Sequence, residues 1–385
     1  MQKLENISVR VLQVLGIVLF ALLTVTSTIF TRFFPAKYEA EIPYNQIDFF
    51  LITGLGTIIL AALAMWISAF MTRREEKAER NLRILLAVVM IWFLAAGLLW
   101  IVMAKSTPIA DQVMVYSSAQ RFLEGNYGRL TYGKYLYYYP LQLGLTAWES
   151  LILSVFGSDN YQAIQVFNVL GSLLCVYAGY RVTRILSEKR RTAACYLLFM
   201  AGCFQFIVYG AYIYSDVLAI TLCMTGIWQF LRYIREGKLS GAIIMILCLA
   251  AGVLLRNNSL IVMIALLCVL LVKAVSGKRW QYFVCAVVLL AASLGSGPAL
   301  EKYYEQKSGI PVNDGMPAVL WIAMGMQEGD KEAGWYNGYS MYTYQDVCKF
   351  HTATAAKLGL AEVKARAKEF LKDPLYAADF YFRKF

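Results

Sequence analysis

The chain has 385 residues, 59% hydrophobic and 16% charged, with a formal net charge of +11. Soluble domains are about 45–50% apolar and about 25% charged, so this balance excludes a soluble globular protein and defines a membrane protein. The positive charge implies no nucleic-acid partner, because no arginine-rich motif or aromatic-basic platform accompanies it; it reads as basic residues held at the cytoplasmic ends of spans.

A bilayer span needs about 20 predominantly apolar residues. On that criterion the sequence predicts an all-α polytopic membrane protein with about nine spans, near 11–33, 47–71, 83–104, 162–187, 192–211, 214–233, 241–256, 259–275 and 280–297. MQKLENISVR leads into the first span without a small-residue cleavage site, so it reads as an anchor. The organisation expected is a two-span segment at 1–82, a transmembrane core at 83–297 and a terminal segment at 298–385.

Orientation comes from the short loops. Arg73, Arg74, Lys77 and Arg80 fall on one face, as do Arg181, Arg184, Lys189, Arg190 and Arg191, then Arg232, Arg235 and Lys238, then Lys273, Lys278 and Arg279. The short connections on the opposite face hold Arg32, Lys37 and Arg256. The positive-inside rule then places the N-terminus in the cytoplasm. The 105–161 connection, the YSD turn at 214–216, the RNN turn at 256–258 and the 298–385 segment face outward. All eight prolines fall outside the predicted spans, and no repeat relates the two halves. Both features count against a secondary transporter with helices broken at the midplane. No cysteine pair has C-x-x-C spacing, so neither zinc nor a redox motif is indicated.

The 105–161 connection is too long for a tight turn, and long connections in compact proteins tend to be functional. It carries Asp111 and the tyrosines Tyr127, Tyr132, Tyr135, Tyr137, Tyr138 and Tyr139, most of them expected in an interfacial aromatic belt. Asn168, inside the fourth span, is expected to bond a neighbouring helix. In the terminal segment a surface helix is predicted over about 352–372, closed by Asp373-Pro374. His351 beside it has no partner motif and reads as structural. An outward end after nine spans predicts that the architecture continues past residue 385.

Three residues stand out. Asp111 lies just beyond the third span, Asp216 sits in the YSD turn, and Arg256 closes the apolar run AAGVLL in a tight outward turn. Singly, each aspartate suits a helix N-cap, and the arginine suits a side chain snorkelling to lipid headgroups. Together they place two carboxylates and a guanidinium at one membrane surface. Ionisable groups at that depth are costly and mark function, and the arginine fork matches a phosphate.

The pattern resembles the integral-membrane glycosyltransferases of the GT-C superfamily that use polyprenyl-phosphate sugar donors, such as the protein O-mannosyltransferases and lipid A aminoarabinose transferases. The residues carrying it are Asp111-Gln112, Phe122 and Gly125, the run Tyr139-Pro140-Leu141-Gln142-Leu143-Gly144, Asp216 in YSD, and Arg256 in LLRNNSLI. The resemblance covers roughly 83–297. Two departures are the two spans preceding the one that delivers Asp111, and a shortened C-terminal half.

The resemblance implies transfer of a sugar from a polyprenyl-phosphate donor to an acceptor hydroxyl at the outer face of a bacterial plasma membrane, by an inverting single displacement. It implies Asp111 as base, Asp216 as a second carboxylate and Arg256 as the donor phosphate ligand, with Gln112, Tyr139, Gln142 and Asn257 at the substrate. A divalent cation, held by Asp111 and Asp216, would be the only cofactor beyond the lipid-linked donor; two ligands do not define its site. The competing classes are a polymerase or ligase of lipid-linked glycans, and a non-enzymatic lipid or solute transporter.

Overall fold

The computed structural model describes residues 2–33, 44–47, 49–329 and 332–384. In chain order the elements are α1 (Gln2–Ile29), β1 (Phe30–Phe33), β2 (Tyr44–Ile47), α2 (Phe50–Thr72), α3 (Glu75–Ala104), α4 (Asp111–Leu123), α5 (Tyr135–Tyr138), α6 (Leu143–Phe156), α7 (Tyr161–Leu186), α8 (Arg190–Ala201), α9 (Phe204–Val208), α10 (Asp216–Glu236), α11 (Leu239–Leu255), α12 (Ser259–Gly277), α13 (Trp280–Ser308), α14 (Ala318–Met324), α15 (Tyr339–Tyr342), α16 (Thr352–Lys372) and α17 (Pro374–Lys384). The chain forms two compact units, residues 64–315 and residues 1–63 with 316–385.

This is an all-α multi-pass membrane protein, as the composition requires. Among the described residues, six helices are long and apolar enough to cross a membrane: α2, α3, α7, α10, α12 and α13. The expected count of nine is not reproduced. In α1 the apolar stretch is Gln13–Ile29, and α11 has 17 residues. The largest departure is the predicted span over 192–211. There α8 stops after 12 residues, a length of about 18 Å at 1.5 Å per residue, and the one-turn α9 follows.

The segment 190–215 nevertheless runs the length of α3. At one end Glu79 of α3 accepts from Arg184 of α7 (3.1 Å) and Arg190 of α8 (3.2 Å). At the other, Ser106 just past α3 donates to the Ala211 carbonyl (3.1 Å). Between these ends Leu82, Val89 and Phe93 of α3 pack with Val176 and Tyr180 of α7 and with Ala193 and Leu197 of α8.

Irregular backbone at membrane depth is tolerated only where protein groups satisfy it, and the neighbouring helices do so here. Trp92 donates to the Ala201 carbonyl (3.1 Å), Trp100 to Val208 (3.1 Å), Gln165 to Ala211 (2.8 Å) and Asn168 to Tyr209 (2.7 Å). Asn168 thus bonds a broken segment, not a regular helix. The absence of broken helices, an argument from sequence against a transporter, does not hold.

Pro298 corrects a second expectation, for it lies inside α13 and not beyond a span. A helical proline loses one backbone bond. Packing on both sides carries the helix through it: Leu289 joins the α10–α13 core with Phe230, Met245, Leu249 and Leu270, while Leu300 and Tyr304 pack on the 105–161 connection.

That connection folds on its own apolar core of Val115, Phe122, Leu130, Leu136, Leu143 and Leu145, with Tyr135 and Tyr304. Its tyrosines are therefore divided. Tyr135 is buried, Tyr127 packs against Phe122 and Tyr304, and Tyr132 is exposed.

In the other unit, β1 and β2 pair antiparallel with Phe30 opposite Ile47, a ladder the hydropathy pattern gave no sign of. Pro35, Lys37 and Pro43 lie outside the described residues. The predicted surface helix is α16, and it ends where Asp373-Pro374 required. Asp373 Oδ1 then accepts from the Tyr376 amide (3.0 Å), and Pro374 opens α17. His351 is the exposed N-cap residue of α16.

Candidate active site

Asp111 and Asp216 each begin a helix, α4 and α10, yet neither side chain is the cap that a sequence argument allows. The residue before each holds a positive φ: Ala110 at φ 49° and ψ −127°, Ser215 at φ 63° and ψ −8°. Positive φ is uncommon for residues other than glycine, and such strain concentrates at functional sites. Each carboxylate has a partner outside its own helix.

For Asp111 it is Tyr214. Its hydroxyl donates to Asp111 Oδ2 (2.6 Å), and its carbonyl accepts from Arg256 Nη1 (2.9 Å). The Arg256 guanidinium carbon sits 5.4 Å from the Tyr214 ring centroid, within range of a cation–π contact. Arg256 Nε also pairs with Asp216 Oδ1 at 2.9 Å. Asp111, Tyr214, Arg256 and Asp216 therefore form one linked network drawn from three separate stretches of chain. The Arg256 and Asp216 side chains keep 30% and 34% of their surface exposed, so the network is open to a ligand. Neither the bond to Tyr214 nor the pair with Asp216 uses Nη2 of Arg256.

Close packing sets the positions. Ser150 of α6 donates to the Ala119 carbonyl of α4 (3.1 Å), fixing α6 against the helix that begins with Asp111. A Cβ at Gly144 of α6 would lie 2.0 Å from the Leu254 carbonyl, so only glycine allows α6 to reach the chain two residues before Arg256.

The remaining predicted residues divide. Gln112 is buried, and its Oε1 accepts from the Tyr161 hydroxyl (3.1 Å). Tyr139 is half-buried and packs on Tyr135, ring centroids 5.2 Å apart. Gln142 is half-buried; its carbonyl accepts from Thr146 (2.9 Å). Asn257 is exposed in the turn, its carbonyl bonded to the Leu260 amide (2.9 Å).

Two residues of this region went unmarked by sequence reasoning. Tyr214 reads in the sequence as part of a turn, although it directly precedes Ser215-Asp216. Glu149 is a carboxylate in AWESLIL whose helical neighbours Leu145, Ile152 and Leu153 are apolar, a pattern that marks a buried acid.

Two cavities flank the broken segment. One, of about 260 Å³, is lined by Gln205, Phe206, Tyr209, Asp216, Val217 and Ile220. The other, of about 410 Å³, is lined by Trp100, Lys105, Ser106, Gln112, Val208 and Tyr212 among others. As for a divalent cation, among the described residues no group of three or more His, Cys, Asp or Glu is placed to hold a metal. Asp111 is engaged by a phenol and Asp216 by a guanidinium, a donor set that does not fit such an ion.

Burial, and then the hydrogen-bonded Asp111 carboxylate, push the Tyr214 phenol above its usual range. It therefore donates at every working pH. Tyr214→Phe is expected to lower turnover by about tenfold to a hundredfold, the worth of a hydrogen bond to a charged group, by the same factor from about pH 6 to pH 9. A pH–rate profile checks this; a defect confined to one limb would count against a permanent donor.

The comparison with known families supports, over part of the chain, a GT-C-like membrane glycosyltransferase. Residues 145–295 match the family model of the dolichyl-phosphate-mannose-protein mannosyltransferases, which supports that class for this chain. The matched stretch contains Tyr214, Asp216 and Arg256, while Asp111 precedes it. No curated protein and no solved structure gives a significant match.

Proposed function

We propose that this protein transfers a hexose from a polyprenyl-phosphate donor to an acceptor hydroxyl on the extracytoplasmic face of the plasma membrane. The observation that carries the reading is the Asp111–Tyr214–Arg256–Asp216 network, which sets a carboxylate and a partly free guanidinium side by side at the end of the spans. The orientation rests on the basic residues of the short loops, which assign the opposite face and the N-terminus to the cytoplasm.

The chemistry asked of the residues is limited, because a polyprenyl phosphate is already a good leaving group. The acceptor oxygen bonds to the anomeric carbon as the bond from that carbon to the phosphate oxygen breaks. The acceptor proton passes to the Asp111 carboxylate, a base of the kind worth about 10²–10⁴-fold. The electron pair leaves with the phosphate, whose charge the remaining N–H groups of Arg256 meet. One displacement inverts the anomeric centre. Asp216 holds the guanidinium plane, a role different from the acceptor-orienting or metal-binding one the sequence suggested. The cavity beside Asp216, walled by Phe206, Val217 and Ile220, suits an isoprenoid chain whose phosphate reaches Arg256.

The test uses the full chain reconstituted in lipid with a radiolabelled polyprenyl-phosphate hexose. Release of polyprenyl phosphate with transfer of label to an added hydroxyl acceptor is expected. Binding of polyprenyl phosphate without release, across a panel of sugar donors and acceptors, would favour a carrier of the lipid instead.

A further inference from the structure

Behind Asp111 lies a group of polar atoms that the transfer chemistry does not use. Glu149 of α6 is 1% exposed, and its Oε2 has no hydrogen-bond partner. Gln112 Nε2 of α4 and the Tyr135 hydroxyl of α5 are likewise buried and unpartnered. Tyr116 of α4, Tyr135 of α5 and Tyr161 of α7 all lie within electrostatic reach of the Glu149 carboxyl. Tyr135 is also within reach of Asp111, and Tyr161 bonds Gln112, the residue after Asp111.

An apolar side chain would be the stable choice at such a position, because a buried polar group without a full set of partners costs free energy. Polar groups retained at this cost are high-stakes, and those packed around Glu149 gain most from one arrangement that satisfies them. The geometry says which arrangement. α6 is fastened to α4 through Ser150 and approaches the helix end that leads to Arg256 through Gly144, so the helix that carries Glu149 touches both the carrier of the base and the carrier of the guanidinium.

We propose that Glu149 is a positioning residue: a neutral carboxylic acid that, through Tyr135, Tyr161 and Gln112, holds the start of α4 and with it the Asp111 carboxylate in place for transfer. This rests on the glycosyltransferase reading of the site. Burial supports the neutral form, since it raises the Glu149 carboxyl from 4.5 to about 8, and no cation contributes to the shift. The sign follows from linkage. Between those two values the folded protein holds a proton that the unfolded chain releases, so the stability the neutral acid contributes is lost as pH rises toward 8.

The test compares wild type, Glu149→Gln and Glu149→Leu in the same lipid, with turnover, thermal melting and infrared absorption followed from pH 5 to pH 9. Glu149→Gln keeps a neutral hydrogen-bonding group; it is expected to retain turnover at about pH 6.5 and to abolish a wild-type decline centred near pH 8. It should also flatten the fall in melting temperature and remove a neutral-carboxyl infrared band. Glu149→Leu folds but loses about tenfold to a hundredfold in kcat with KM little changed, as misplacement of a reacting group does.

Wild-type turnover in a folded Glu149→Leu protein overturns the positioning role and leaves the glycosyltransferase reading standing. A neutral-carboxyl band unchanged in Glu149→Gln overturns the proposal as well. A wild type that releases no polyprenyl phosphate with any donor overturns the function proposed above, and the positioning role with it.

Discussion

Asp111→Asn is expected to lower the rate of polyprenyl phosphate release by about 10²–10⁴-fold, the range attributed to a positioned general base. The substitution keeps the size and planarity of the side chain and removes only its ability to take a proton. Donor binding should survive, because the proposed phosphate ligand is Arg256. The effect should therefore appear in kcat, with the KM for the lipid-linked sugar close to wild type. Single-turnover measurement with a radiolabelled donor separates the two. Full release by a folded Asp111→Asn protein would remove Asp111 from the role of base and shift attention to polymerases that rely on arginine.

Arg256→Gln carries the second large effect. Arg256 joins the Asp216 carboxylate, the Tyr214 carbonyl and the face of the Tyr214 ring, so its loss disturbs the proposed donor phosphate site and the phenol that bonds Asp111. Turnover is expected to fall by about 10²–10³-fold, the scale seen when one preorganised charge-stabilising donor is removed. Here the KM for donor should rise too, because the proposed phosphate ligand is lost. Arg256→Lys keeps the charge but not the planar fork, and is expected to recover only a minor part.

Stability should respond far less than activity. The pair with Asp216 is about one-third exposed on each side, and such ion pairs contribute about 1 kcal/mol or less. Kinetics and polyprenyl phosphate binding on Arg256→Gln, Arg256→Lys and the double variant with Asp216→Asn check this. An unchanged affinity for polyprenyl phosphate in Arg256→Gln would place the phosphate elsewhere, with Lys105 in the neighbouring cavity the next residue to test.

Membrane residence, the C-terminal end of α3, the bounds of α7 to within a residue, those of α16, and the three charged residues at one surface were all legible in the sequence. Each is set by local composition or by a property that does not need the rest of the chain. A run of apolar residues partitions into the bilayer wherever it occurs, and Asp373-Pro374 stops a helix whatever packs on it. A charged residue between apolar runs is expensive in any fold. Those facts were enough to single out Asp111, Asp216 and Arg256, and to separate them from the solvated charges of the loops.

Tertiary structure alone decided how those residues meet. Tyr214 bonds Asp111 across 103 positions of sequence, a partnership that no periodicity encodes. Segment 192–211 is apolar enough to read as a helix, and local propensity favours one. It breaks because Trp92, Trp100, Gln165 and Asn168, far away in the chain, supply the hydrogen bonds that its backbone would otherwise make to itself. Pro298 stays inside α13 for a related reason, since packing on both flanks outweighs the lost bond. Sequence fixes which groups must avoid lipid or stay out of helices. Which distant partners satisfy them depends on contacts that form only when the spans come together.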